Sequence, residues 1–321
     1  MPLPEDSQII DTAKEIIPTL HKIFGPHPGF RPAHAKGLEL TGRFSPSADA
    51  AALSAAKHFH DPSTPVTVRF SSSTGLPELP DTDPNGNPRG FALRFHLGTD
   101  DGSQRKHTDV VAHSTPFFPV RTGEEFLQFF QAIIQSGPDA AHPTPVEQFL
   151  GSHPKALAFV QAPKPFPVSL ATTAFFGVNA FKFVSVTGVE TYLRYRIIPA
   201  LGIHTLDDAV VKDQSATYLF DEISKRVREE GPITFKLIAQ IAEAEDVTDD
   251  STVQWPEERQ LVELGEVTLD AVLPEGENEK EQKYIIFDPI PRVPGVEPSA
   301  DPLLDMRAAV YLLSGRERRA A

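Results

Sequence analysis

Arg307 and Tyr311 are four residues apart near the end of the sequence, and Arg318 follows seven residues later. Side chains four residues apart on a helix are neighbours, so the guanidinium of Arg307 would favour the ionised form of the Tyr311 phenol. A phenolate is an anionic oxygen ligand that suits ferric iron. An Arg and a Tyr at this spacing are also common on surface helices, so the pair alone does not establish an iron site.

Two polar segments in the first quarter of the sequence could do acid–base or anion-binding chemistry. His34 lies in Arg31-Pro-Ala-His34-Ala-Lys-Gly37, where an imidazole acts either as a general acid–base or as a hydrogen-bonded residue at a strand end. In the predicted strand 64–72, alternation places Arg69 and Ser71 on one face. An inward arginine needs an anion, supplied either by a cofactor or by an acidic residue of this chain.

The composition excludes several classes of function. The 321 residues include 44 acidic and 30 basic ones, and the net charge of -14 argues against a nucleic-acid or anionic-membrane partner. No cysteine is present, which excludes disulfides, thiolate nucleophiles and iron–sulfur clusters. No apolar run approaches the roughly 20 residues of a membrane helix. Residues 1–12 are polar and acidic, unlike a secretory leader, so we expect a cytoplasmic protein.

Hydrophobic periodicity predicts antiparallel strands with helices around them. Helices are predicted at 7–24, 123–136, 146–161, 206–228, 233–246 and 303–313, and strands at 64–72, 90–97, 107–121, 266–273, 283–287 and in a meander of three over 167–198. The strands come in hairpin-like runs, and no linker or internal repeat divides the chain. We therefore expect a single α+β domain over residues 1–321, built on an antiparallel β-barrel with surrounding helices. The 22 Phe residues suit a dry core.

Several motifs occur in a fixed order between the His34 segment and the Arg307–Tyr311 pair. They are Asn87-Pro88-Arg89-Gly90-Phe91-Ala92, Thr115-Pro116-Phe117-Phe118 and Glu297-Pro298-Ser299-Ala300-Asp301. With this order and spacing, the sequence resembles the haem catalases from about residue 25 to residue 318. It lacks the N-terminal arm, the wrapping segment and the C-terminal helical region of the full-length enzymes. It is therefore similar to the small catalase-related peroxidases, or minicatalases.

The resemblance implies haem b as the cofactor and a role for each of these side chains. Tyr311 would be the iron ligand, kept ionised by Arg307, and His34 the distal acid–base, oriented by Ser71. The positions that bind the haem propionates or pack on the distal side of the haem correspond to Arg31, Arg69, Arg318 and Phe126. Asn179 is similarly placed to a histidine that contacts the proximal arginine in full-length catalases.

One departure from the family pattern bears on the reaction. Catalases carry an asparagine before the Thr-Pro pair that helps to place hydrogen peroxide over the iron, whereas this chain has His113 before Thr115. An imidazole is bulkier than an amide, differs in its donor and acceptor geometry, and titrates near neutral pH. We therefore expect a peroxidase that uses organic hydroperoxides and a small-molecule electron donor, with weak catalase activity. His113 would be catalytic together with His34 and Ser71.

Other functions remain open from the sequence. A hydroperoxide isomerase or allene oxide synthase would convert a fatty-acid hydroperoxide without a reductant, and a true catalase would disproportionate hydrogen peroxide. A haem carrier or sensor is a further alternative, although a carrier has no need of the distal proton shuttle that His34 and Ser71 would form. A barrel that binds no haem is the last. The oligomeric state that we expect is a homodimer.

Overall fold

Eight antiparallel strands form a closed barrel at the centre of the computed structural model, which describes residues 2–100 and 104–321. The strands are β1 (Gly37–Pro46), β2 (Thr64–Ser71), β3 (Gly90–Asp100), β4 (Gln104–His113), β5 (Phe175–Val184), β6 (Glu190–Pro199), β7 (Ile233–Ile241) and β8 (Leu261–Val272). Their order is β4-β3-β2-β1-β8-β7-β6-β5, and a pairing between His113 and Phe176 closes the barrel. A short strand, β9 (Val296–Pro298), adds to β5.

Helices cover the outside of this barrel. They are α1 (Ser7–Phe24), α2 (Ala48–Leu53), α3 (Gly123–Gln135), α4 (Pro145–Ser152), α5 (Pro154–Gln161), α6 (Asp208–Val211), α7 (Tyr218–Glu229), α8 (Glu275–Tyr284) and α9 (Leu303–Ala320). Helices α1, α3 and α9 pack together through Leu20, Met306 and Ala309. Gly123 permits the close approach of α3 to α9, because a Cβ there would lie 2.4 Å from Cε of Met306. Within the described ranges, no helix is both long and apolar enough to cross a membrane.

Phenylalanine rings fill the inside of the barrel. Phe70 meets Phe91 edge-to-face with 5.1 Å between ring centroids, and Phe91 lies 5.0 Å from Phe175. Phe44 and Phe235 belong to the same buried cluster. Because this interior is packed solid, the chemically active side chains have to lie on the outer face of the strands.

Strand alternation assembles two rows of residues on that outer face. One row crosses from β1 to β4 through Gly37, Ser71, Gly90 and His113, and the next through Glu39, Arg69, Ala92 and Val111. Strand β2 is buried on both faces from Val66 to Ser71. Its apolar side chains point inward to the phenylalanines and its polar ones outward to the helices, as the period of two requires.

The α+β class and the antiparallel barrel with surrounding helices are confirmed. The helix predicted over 233–246 is wrong, because Ile233, Phe235 and Leu237 alternate into the core of β7. The strand predicted over 283–287 is also wrong. Lys283 and Tyr284 end α8, and the apolar residues after them pack against α9 and Arg94.

Further predicted elements differ in extent, among them the helix over 206–228, which is divided into α6 and α7. The meander over 167–198 has two strands, because 167–174 is irregular and contains a 3-10 turn. Strand β4 spans Gln104–His113, whereas the predicted strand extends over 107–121. The segment 146–161 contains two helices, α4 and α5, which are separated at His153.

Candidate active site

His34 lies over the barrel wall, against the first of the two rows. Its Nδ1 is 3.0 Å from Oγ of Ser71, and a Cβ added to Gly90 would lie 3.0 Å from the same Nδ1. Glycine at position 90 therefore gives the imidazole room to approach the strand. His34 has φ of 57°, the one positive φ of a non-glycine residue in the part of the chain that the structure describes. Such backbone strain is concentrated at functional positions.

Desolvation, together with the positive charges of Arg69, Arg31 and Arg307, lowers the pKa of His34 to about 3. The imidazole is therefore neutral at any pH near 7. A neutral imidazole has one nitrogen that donates and one that accepts, so it can accept a proton from a substrate. The hydrogen bond with Ser71 leaves Nε2 as the nitrogen available for this.

His113 faces the same side of the sheet, next to Gly90 in the row. Its Nδ1 accepts a hydrogen bond from the backbone N–H of Thr115 at 3.2 Å. Desolvation also lowers the pKa of His113 to about 3, so the ring is neutral and its proton lies on Nε2. That Nε2 is shielded from solvent and has no hydrogen-bond partner among the described residues. It is therefore a buried donor that is available to a ligand.

The phenol of Tyr311 and the guanidinium of Arg307 are neighbours on α9. Both Nε and one terminal nitrogen of Arg307 lie 3.3 Å from Oη of Tyr311. Another terminal nitrogen of Arg307 donates to Oδ1 of Asn179, whose Nδ2 donates to Asp301 at 2.8 Å. Burial raises the pKa of Asp301. The network fixes Arg307 against Tyr311, and Asn179 makes the contact that the resemblance implies.

Three arginines form a cationic cluster beside His34. Arg31 and Arg318 donate to the carbonyl of Ile285, and Arg69 donates to the carbonyls of His34 and Ala35. A Cβ at Gly37 would overlap the guanidinium of Arg69, so this glycine is needed for its path. Desolvation lowers the pKa of Arg31 to about 10 and that of Arg318 to about 9, and lowers that of Arg69 as well.

None of these three guanidiniums has a carboxylate within 4 Å in the described ranges. Buried cations are normally paired, so the cluster calls for an anionic ligand. An anion carrying two carboxylates would match it better than a single one.

An apolar wall lies between the histidine and the tyrosine. Phe126 stacks on Phe118 with 5.8 Å between centroids and belongs to the same cluster as Ala33 and Val310, the residues before His34 and Tyr311. A flat, apolar ligand with two carboxylates at one edge would satisfy both this wall and the arginines. No cluster of three or more His, Asp or Glu able to hold a bare metal ion exists in the part of the chain that is described.

Two residues next to Arg69, Glu39 and Gln282, were not predicted from the sequence to belong to the site. Glu39 lies opposite Arg69 in the second row, and Gln282 of α8 accepts a hydrogen bond from Nε of Arg69 at 2.9 Å. The alternation of Leu38, Glu39 and Leu40 shows that Glu39 faces away from the barrel interior. Its burial depends on α8, which periodicity did not reveal.

The structure thus defines an α+β protein with an antiparallel barrel, and candidate active-site residues lie on the outer face of that barrel. The sequence profile of the Catalase family matches residues 29–321. The chain is 32% identical over 310 residues to a catalase-related peroxidase of Mycolicibacterium paratuberculosis, which covers 96% of this chain and 95% of that protein. A catalase-related peroxidase of Synechococcus elongatus is also 32% identical, over 96% of this chain and 88% of its own. This chain belongs to the catalase family.

Two solved catalase structures have the same fold. A bacterial catalase superposes with a TM-score of 0.77 at 24% identity, and a fungal catalase with a TM-score of 0.79 at 22% identity. Each covers 95% of this chain, which spans only 60% and 63% of those chains. The resemblance predicted from the ordered motifs is thus confirmed.

Proposed function

We propose that the protein is a haem peroxidase that acts on organic hydroperoxides and has weak catalase activity. Membership of the catalase family makes it a peroxide-acting oxidoreductase. The finer proposal depends on one observation: His113, with an unpartnered Nε2, stands beside His34 where the resemblance expects an amide. A small-molecule electron donor would complete the reaction.

Haem b fits the side chains around the site. Tyr311 would ligate the iron, Arg31, Arg69 and Arg318 would bind the propionates, and Phe126 would pack on the distal side of the ring. When bound, a tyrosinate-ligated haem supplies the chemistry that cleaves an O–O bond. Arg307, which is held by Asn179, contacts the phenol oxygen of Tyr311 at 3.3 Å and so would fix the direction of the proposed ligand.

His34 would move the proton of the peroxide. With Nδ1–H donated to Ser71, Nε2 of His34 has a free lone pair that accepts the proton from one peroxide oxygen and returns it to the other. The lowered pKa of His34 keeps this nitrogen unprotonated before the peroxide arrives. Ser71 is the positioning residue, because its hydroxyl holds Nδ1 and so fixes the orientation of the ring.

His113 would decide which peroxide is accepted. Its Nε2–H can donate to a bound oxygen, but from a ring that is larger than an amide and fixed by the backbone N–H of Thr115. A donor in a changed position disfavours the second hydrogen peroxide that a catalase must place. A single organic hydroperoxide followed by an electron donor makes no such demand.

The test is a comparison of steady-state rates with hydrogen peroxide and with cumene hydroperoxide, each with and without a phenolic donor. We expect turnover of cumene hydroperoxide that depends on the donor, and little oxygen release from hydrogen peroxide. Rapid oxygen release without a donor would contradict the proposal. Conversion of a fatty-acid hydroperoxide without any reductant would instead identify an isomerase.

A further inference from the structure

Glu39 is a buried carboxyl group without a hydrogen bond. The residue is 0% exposed, and both carboxylate oxygens lack a partner in the ranges that the structure describes. Its backbone is held on two sides, because its N–H donates to Oδ1 of Asn278 and its carbonyl accepts from Leu273. The backbone of Glu39 is thus anchored, and its buried side chain lies in the row that contains Arg69.

Charged groups surround Glu39 from every neighbouring element. Arg69 of β2, Arg31 before β1 and Arg94 of β3 act on it as cations, and Glu281 of α8 acts as an anion. Arg318 of α9 is affected by Glu39 in turn. Arg94 is already occupied by a bidentate pair with Asp109, at 2.8 and 2.6 Å. Despite these cations, burial raises the pKa of Glu39 to about 7.

An ionised Glu39 would oppose the ligand that the arginine cluster calls for. Two propionates would bring two negative charges to Arg31, Arg69 and Arg318, and a third carboxylate beside them would be repelled. A neutral carboxylic acid behaves differently, because its O–H can donate to a propionate oxygen in a short, charge-assisted hydrogen bond. That bond would also satisfy the buried oxygen that has no partner.

We infer that Glu39 carries a proton and donates it in a hydrogen bond to a haem propionate, so that haem binding takes up a proton near neutral pH. The inference rests on the proposed haem site. Protonated Glu39 binds the propionate and ionised Glu39 repels it, so the bound pKa lies above the free one. Haem affinity is then highest below the pKa that Glu39 has in the haem-free protein. Above this pKa the affinity falls by up to about tenfold per pH unit, until the pKa of Glu39 in the haem-bound protein is reached.

The experiment measures how haem partitions at equilibrium between this protein and apomyoglobin, from about pH 6 to about pH 9. Glu39→Gln keeps the volume and the donor but cannot ionise. Each protein gives a partition constant for haem against apomyoglobin. The ratio of the variant's constant to that of the unaltered protein should be close to one at about pH 6. Above about pH 7 it should rise by up to tenfold per pH unit in favour of the variant. Glu277→Gln, which removes an exposed carboxylate of the same helix that does not act on Glu39, is the matched control and should not produce this rise.

A relative partition that does not change with pH would overturn the inference while leaving the haem site intact. Absence of a Soret band in the unaltered, haem-treated protein would overturn the haem site itself. Should Glu39→Gln fail to fold, as judged by circular dichroism, calorimetry of the unaltered protein replaces it. Haem binding at about pH 8 in two buffers of different ionisation enthalpy should take up a fraction of a proton approaching one, and zero uptake would contradict the inference.

Discussion

Nδ1 of His34 lies 3.0 Å from Oγ of Ser71, and this contact joins a strained loop residue to the outer face of strand β2. The strand supplies a rigid support, because its other face is packed against the phenylalanines of the barrel. The loop alone would leave the imidazole free to rotate. The barrel therefore sets the direction of Nε2 without contributing an inward-facing residue to the site.

Ser71→Ala removes the group that orients His34. We expect kcat/KM for an organic hydroperoxide to fall by about tenfold or more, since loss of one hydrogen bond is worth about 1 kcal/mol and misorientation adds to it. Haem content should not change. Ser45→Ala, at an exposed position of β1, is the control and should retain full activity. Equal rates for Ser71→Ala and the unaltered protein would show that the ring is held by other means.

Gly90→Ala places a methyl group between the two residues of that contact. The Cβ would lie 2.3 Å from Oγ of Ser71 and 3.0 Å from Nδ1 of His34, so one of them has to move. We expect at least a tenfold loss of kcat/KM and a decrease of about 1–3 kcal/mol in the free energy of unfolding. Gly137→Ala meets no atom within 4 Å and serves as the matched control for both measurements.

His113→Asn restores the amide that the resemblance to catalases predicts at this position. We expect the ratio of hydrogen peroxide disproportionation to organic hydroperoxide turnover to rise by about tenfold, which corresponds to about 1.4 kcal/mol of transition-state free energy. Oxygen release and donor oxidation measure the two reactions. His107→Asn makes the same change elsewhere on β4 and should leave the ratio unaltered. An unaltered ratio in His113→Asn would refute the role of His113 in peroxide selection.

Tyr311→Phe removes the proposed iron ligand and leaves the ring in place. A haem-loaded sample of the unaltered protein should show a high-spin ferric Soret band that is shifted or lost in the variant, with reduced haem content. Tyr284→Phe, at an exposed residue next to the carbonyl that binds Arg31, should keep the original spectrum. A spectrum that is identical in Tyr311→Phe would exclude Tyr311 as the ligand.

His58, which lies outside the candidate active site, is expected to make the folded protein less stable at acidic pH. Its ring centroid lies 4.0 Å from that of Phe59 and 4.5 Å from that of Phe95, and its buried Nδ1 has no partner within the described ranges. Desolvation lowers its pKa from 6.5 to about 3. The unfolded chain thus binds a proton below about pH 6.5 that the folded protein refuses, so stability falls as the pH drops toward 3.

Replacing His58 by Phe should remove this penalty. In that acidic range, the free energy of unfolding of His58→Phe should decline less steeply than that of the unaltered protein, by up to about 1.4 kcal/mol per pH unit. Urea unfolding at a series of pH values measures the slope. His204→Phe, an exposed position where the ring stays hydrated, should preserve it. Identical slopes for His58→Phe and the unaltered protein would mean that His58 is protonated in the fold.

The ordered motifs singled out His34, Ser71 and Tyr311 as candidate site residues, and their roles stay predictions. Helices α1 and α3 were predicted because each has a regular apolar face. Strand β7 was mistaken for a helix, since its pairing with β6 and β8 is decided by partners distant in sequence. Helix α8 was missed because its ten residues show no apolar periodicity.

The burial of Glu39 could not be predicted from the sequence, because it depends on helix α8, which was itself not predicted. A glutamate between two leucines in a strand is usually read as an exposed residue, and only the covering helix makes it a buried one. Burial by a helix that is distant in the sequence cannot be recognised from the local pattern of residues.

Successive residues of β2 face opposite sides of the barrel wall and have different roles. Val68 and Phe70 pack in the interior of the barrel, while Arg69 and Ser71 face the proposed haem site. Mutations at the two sets of positions are therefore exposed to different selection. Descendants of one ancestral barrel can exchange the outward residues and acquire another reaction while the inward rings preserve the scaffold.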